Sequence, residues 1–427
     1  MESYIAASDV ELITSLSYAQ PKIASYITSR KQVSIAASGG ENYGPATVGS
    51  KIARFSLNSS GPFLDLSTLC VYGTVKNRSS THPLQILGPS LGALVHSARL
   101  LIGGIEVDRC DWLNRTEAML SLMQSESKRR QDFSEGFGLL GGTSQGTDFV
   151  SQTIEPTETK KVIWRPKALG SLLGTNYVPV ALTSGGSCVL ELTFVDTPQE
   201  VCDTTDPAQM SADWSVSGLS VLMDVITVDS AFLSSLGAHL AEGASLQLGF
   251  KAYQTSFYSV LAEAAQITHS RSNTRLNTLF VTFMKAVAAN TNKKACNLFY
   301  IPNEGTLKMR CQIGEQRYPD SLDNDSMSLF YHRLLHAIGA ANSASHSPCL
   351  TSDSFKSNGF IACQDFEAVP GQANHSGKNT FSSQLTVFLE SLGNNKEGAA
   401  GVVNAAYITT YHDIVVEITS NGVTVVT

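Results

Sequence analysis

Ala98-Arg-Leu-Leu-Ile102, Gly103-Gly104 and Ile105-Glu-Val107 form the stretch that decides the fold class. Two short apolar-rich runs flank a pair of glycines. Paired glycines supply the positive φ that tight hairpin turns need, so the stretch predicts a β-hairpin. The chain continues through Glu106-Val107-Asp108-Arg109 into the segment Asp111 to Met123, where Leu113, Met119, Leu120 and Met123 can share one face of a helix. The same order returns two hundred residues later. Met309-Arg-Cys-Gln-Ile313, Gly314-Glu315 and Arg317-Tyr318-Pro319-Asp320 lead to Ser326–Ile338, with Leu329, Phe330, Leu334, Leu335 and Ile338 on one side. A tandem duplication explains the match, with two similar β-sandwiches each carrying one helix in the same place.

Working outward, short apolar runs at strand spacing fill both halves. Ile52–Leu57, Leu69–Val75, Val189–Val195 and Leu219–Val228 belong to the first half; Leu246–Tyr253, Leu279–Met284, Asn297–Ile301, Gln384–Leu389 and Ile414–Ile418 belong to the second. Many short strands separated by Gly, Pro, Asn and Ser clusters indicate an all-β fold of two sandwiches with short inserted helices. At 427 residues the chain exceeds the roughly 250–300 that one core supports. The division expected is an N-terminal arm at 1–50, a first sandwich at 51–229, an amphipathic linker at 230–243 and a second sandwich at 244–427. The arm shows no sustained periodicity, so removing residues 1 to 45 is expected to leave both sandwiches folded.

Charged residues are only 16% of the chain against the roughly 25% usual for soluble domains, so much of the surface is neutral and suited to being covered by partners. A net charge of -7 limits any contact with nucleic acid to a weak or local one, because phosphate neutralisation needs an excess of Lys and Arg. No window approaches the ~20 apolar residues of a membrane span, and Met1–Gln20 lacks the pattern of a secretory signal. The eight cysteines are dispersed without a C-x-x-C pair, which points to reduced buried thiols rather than a disulfide framework or zinc site.

Several segments together carry a resemblance. Tyr26-Ile-Thr-Ser-Arg30-Lys31-Gln-Val33-Ser-Ile35, then Gly39-Gly40, Tyr43-Gly44-Pro45 and Gly61-Pro62-Phe63-Leu64-Asp65, resemble the start of double jelly-roll major capsid proteins of polinton-like viruses and related small double-stranded DNA viruses. Gly170–Val180 leading into Gly185–Thr193 is similar to that family's proline loop, glycine turn and alternating strand, and Trp214–Ser230 looks like the strand that closes the first jelly roll. The resemblance implies a virion shell protein: a homotrimer of six jelly rolls forming a pseudo-hexagonal block of an icosahedral capsid, with neighbouring trimers, penton and minor capsid proteins as partners. It also implies assembly inside the host cell. Neither an internal membrane nor a host receptor has a signature in the sequence. Within the arm, Tyr18, Tyr26, Arg30 and Lys31 are the candidate inter-subunit contacts.

The rival readings rest on less. A glycan-binding, lectin-like jelly roll would use loop aromatics such as Tyr253, Phe257, Tyr258 or Tyr407. An enzyme would need a constellation that the sequence does not supply. His332 and His336 have chelating spacing but lack the acidic partner of H-E-x-x-H. His412-Asp413, or Asp108 with His96, have no Gly-x-Ser-x-Gly elbow beside them. Glu155 and Glu158 flank Pro156-Thr157 in an apparent loop. The glycines at 136, 138, 141 and 142 follow a charged segment rather than a strand, so they do not read as a phosphate loop. Lys128-Arg129-Arg130 reads as a helix C-terminus, and the sequons at Asn58, Asn77, Asn114, Asn324 and Asn374 as products of an Asn/Ser/Thr-rich surface. No catalytic, cofactor-binding or metal-ligating residue is assigned.

Overall fold

The structure, a computed structural model, describes residues 26–45, 49–58, 61–138, 151–174, 177–183, 186–203, 209–260, 262–285, 299–302, 306–320, 326–341, 343, 346–357, 359–367, 377–392 and 403–426. The first half contains β1 (Ile27–Ala36), β2 (Asn42–Tyr43), β3 (Ile52–Ser56), β4 (Phe63–Asn77), β5 (Val95–Ile102) and β6 (Ile105–Asp111). The helices α1 (Leu113–Met123) and α2 (Glu126–Glu135) follow, then β7 (Thr159–Trp164), β8 (Cys188–Phe194) and β9 (Trp214–Val228). After the linker helix α3 (Ser230–Ala241), the second half runs β10 (Leu246–Ser259), β11 (Ala265–Thr268), β12 (Leu276–Lys285), β13 (Lys308–Ile313), β14 (Gln316–Tyr318), α4 (Met327–Ala337), α5 (Ser352–Ser357), β15 (Ala362–Asp365), β16 (Leu385–Glu390), β17 (Val403–Thr419) and β18 (Gly422–Val426).

Each half is a jelly roll, and the two share one topology. The first roll stacks the sheet β1-β9-β4-β7 on the sheet β3-β8-β5-β6; the second stacks β10-β17-β12-β15 on β11-β16-β13-β14. Strand for strand in chain order, β1 answers to β10, β3 to β11, and so on to β9 and β17. In both rolls the helices fall between the fifth and sixth strands of that series, after β6 and after β14, at the place the hairpin-to-helix repeat predicted. Gly103 and Gly104 hold φ of 60° and 83°, which gives the β5–β6 turn its hand. Buried apolar residues of both rolls join in one connected cluster.

Two expectations change. The arm at 1–50 is shorter, because Ile27–Ala36 is an edge strand paired antiparallel with β9 along Ile27–Ala36 and Ser220–Val228. It escaped the reading because an edge strand covered on one side shows little alternation: only Val33 and Ile35 among its apolar side chains are half-buried, and Ile27 is exposed. Asn297–Ile301 is the second. Its described part is not a strand, although Phe299 and Ile301 are buried.

The rolls meet where the second roll's β10 crosses the short turn Gly170–Leu172 and β6 of the first. A Cβ on Gly170 would lie 1.5 Å from the Lys251 carbonyl oxygen, so only glycine lets the two backbones come this close. The substitution G170A is expected to destabilise the protein by about 1–3 kcal/mol in a urea titration, the usual cost of forcing atoms into a packed site. An unchanged midpoint would contradict the close approach.

Candidate assembly surfaces and the seam between the rolls

The seam is built from α1 upward. All eleven of its side chains are buried, polar ones included, whereas its sequence predicted one buried face. The second roll covers the rest. Thr116 and Thr255 hydroxyls lie 2.6 Å apart and Thr255 and Thr409 hydroxyls 2.8 Å apart, a chain of hydroxyls from α1 through β10 to β17. The Arg115 guanidinium approaches the Met284 sulfur at 3.3 Å and sits over the Tyr407 ring. At the helix end, the Leu122 and Gln124 carbonyls accept from the Leu350 and Cys349 amides. On the first roll's side, the Glu117 carboxylate accepts from the Lys167 and Ala168 amides, at 2.6 and 2.9 Å. Buried polar groups partnered in this way give a helix one seat, since any other placement strands them.

Trp112 locks the entrance to this helix. It stands in left-handed backbone, φ 53° and ψ 40°, a conformation that costs a non-glycine residue roughly 1–2 kcal/mol. Its ring stacks against Phe257 at 5.3 Å and edge-on to Tyr407 and His96, so packing across the seam holds the strained turn. Asp111, next to it, takes Arg109 on one oxygen and Arg271 of the second roll on the other, both at 2.9 Å.

The aromatics considered for glycan binding are absorbed here. Tyr253 stacks on Tyr411, Tyr407 is buried, Phe257 backs Trp112 and the Tyr258 hydroxyl meets His269. They stand on β10 and β17 rather than on loops, and of the four only Phe257 is exposed. The enzymatic candidates also separate. Asp108 is buried and accepts from the Ser171 amide, while His96 packs on Trp112; Asp413 accepts from Asn277. Glu155 and Glu158 are exposed on a turn, and His332 and His336 are exposed on α4 with ring centroids 6.4 Å apart. Among the described residues no group of three potential metal ligands comes together. Lys128-Arg129-Arg130 opens α2 rather than closing a helix, with Arg129 buried against Phe133 and Arg130 paired to Glu126. The sequons at Asn324 and Asn374 lie outside the described residues.

Of the predicted arm contacts, Tyr18 also lies outside them. Arg30 is paired within the roll, at 2.7 Å from Asp224 on β9 and 3.0 Å from Asp65 on β4, while its side chain stays half exposed. Tyr26 is half exposed and stacks on Phe232 of α3, with centroids 4.6 Å apart, and Lys31 is exposed on β1. α3 itself carries no Asp, Glu, Lys or Arg and buries only Leu240, so Tyr26, Ile27 and this helix form an uncharged exposed surface.

No protein-family model matches the chain, and no curated protein matches its sequence. Solved structures do match in fold. A chain of the PBCV-1 virus capsid aligns with TM-score 0.60 and 12% identity over 96% of this chain and 99% of its own. A chain of the Sputnik virophage gives 0.62 and 9%, over 99% and 92%. The Faustovirus major capsid protein gives 0.59 and 8%, over 96% and 93%. With the paired sheet orders, these likenesses establish a double jelly roll of the kind found in viral major capsid proteins.

The shortened arm gives a sharp expectation. Removing residues 1–25 should leave the urea midpoint of the chain close to that of the intact protein, whereas removing 1–45 takes away β1 and should lower it clearly or abolish folding. Equal midpoints for the two truncations would mean that β1 contributes nothing to the first roll.

Proposed function

We propose that this protein is the major capsid protein of an icosahedral double-stranded DNA virus, and that three copies form the pseudo-hexagonal building block of its shell. The observation that supports this most is the end-to-end match with capsid chains: two rolls of one topology, fused and locked at a seam, with little of either chain left over. The protein acts through its surfaces rather than through a catalytic centre. Its partners are two further copies in the trimer, neighbouring trimers, and penton and minor capsid proteins, with at most weak contact with the genome, and its place is the virion.

The low charge of the chain fits a surface made to be covered. Tyr18, Tyr26, Arg30 and Lys31 are the proposed inter-subunit contacts at the N-terminal side. Tyr26 and Ile27 beside the uncharged α3 offer a second copy an apolar face without the cost of burying an unpaired charge. Nothing in the packed aromatics of β10 and β17 favours the lectin reading.

Sedimentation velocity at micromolar concentration tests the proposal. A stable species of three 45.7 kDa chains is expected, as an interface beyond ~2,000 Å² would produce. A folded monomer persisting under conditions that preserve virions would refute it.

A further inference from the structure

Two buried imidazoles lie at and beside the seam, His412 lining it and His269 next to the lining residue Ser270. β6 on one side and β10, β17 and the segment 270–273 on the other line a cleft of about 340 Å³. His412 of β17 lines it and is buried, 3% exposed. His269, at the end of β11, is 2% exposed and holds the Tyr258 hydroxyl at 3.0 Å through Nδ1. His269 Nε2 and His412 Nδ1 have no hydrogen-bond partner among the described residues. Arg271, which crosses the seam to Asp111, is close enough to act on both rings, and the rings act on each other.

The charged and titratable groups around them offer little to receive a proton's charge. β6 presents Glu106, Asp108, Arg109 and Asp111; β10 presents Lys251 and Tyr258; β17 presents Tyr411 and Asp413; the connection between β11 and β12 presents Arg271 and Arg275. The carboxylates are largely committed, with Asp108 Oδ1 left buried without a hydrogen-bond partner among the described residues. Asp111 is held by Arg109 and Arg271, Glu106 lies beside Arg99 and Arg109, Asp413 accepts from Asn277, and Asp108 accepts from Ser171.

We propose that the seam is an acid-sensitive contact, in which protonation of His269 and His412 separates the β10–β17 ribbon of the second roll from β6 of the first. Two new charges near the Arg271 guanidinium, on rings that are almost wholly buried, repel it and one another, and opening the cleft hydrates the rings. Burial pushes both imidazoles down from the ordinary 6.5 to about 4, with Arg271 adding to the effect. A base whose folded value is depressed resists a proton that the open state accepts, so the contact is complete above about pH 6.5 and is lost as pH falls towards 4. Asp108 acts in the opposite sense. Burial pushes its carboxyl up to about 6, so the closed seam gains from its protonation as pH falls through that value. At about pH 5 each imidazole held to its full shift disfavours the closed seam roughly 30-fold, against a gain of roughly tenfold from Asp108, so the two rings prevail.

Hydrogen–deuterium exchange on the intact protein tests this, with rates corrected for the intrinsic pH dependence of amide exchange. Between about pH 7 and pH 5, exchange in residues 105–111 and 246–259 is expected to rise roughly tenfold or more in the wild type and less than about threefold in H269Q/H412Q. In D108N the rise should be steeper than in the wild type, because the opposing group is gone. If the double variant does not fold, H412Q alone carries the test, with a rise of intermediate size. An equal rise in wild type and histidine variants, or a rise confined to strands away from the seam, would overturn the proposal.

Discussion

The close passage of β10 over Gly170 is the constraint on which the rest of the molecule depends. With no side chain at that position, the Lys251 carbonyl can lie against the first roll's backbone, and the face of β10 is then presented to α1. The hydroxyl chain from Thr116 to Thr409, the packing of Trp112 against Phe257 and edge-on to Tyr407, and the Arg271–Asp111 pair all require that approach. Two jelly rolls joined only by a helix would move independently. Here a buried helix with partnered polar groups fixes one arrangement.

How much of this could be read in the sequence follows from how local each feature is. The hairpin at 98–107 and the helix after it were legible because glycine turns and apolar periodicity act over a few residues, and their recurrence at 309–338 exposed the duplication. β1 was not, since an edge strand with a polar outer side carries almost no alternation. Nor was the pairing of Arg30 with Asp65 and Asp224, on two strands that lie 35 and 194 residues away. Likewise, Thr116 looks like a surface residue of an amphipathic helix until Thr255 of the second roll meets it, and Glu117 until the amides of Lys167 and Ala168 in the first roll donate to it. No spacing rule could show that Phe257 and Tyr407, candidates for a glycan platform, would pack on Trp112.

The seam is also where polar chemistry concentrates in this chain. Asp108, His269 and His412 are each buried with a polar atom unpartnered, which typically costs about 1–3 kcal/mol per group. The sandwich cores around them are apolar and tightly joined. The two lobes are thus apolar inside, and the buried polar groups gather at and beside the junction between them.

Electron cryo-microscopy of the purified full-length protein tests the central claim, that two equivalent rolls are locked into one block which assembles threefold, most directly. Threefold particles with six lobes are expected, each lobe one jelly roll, with α1 enclosed between the two rolls of every subunit. Single chains whose rolls take variable relative positions would contradict it.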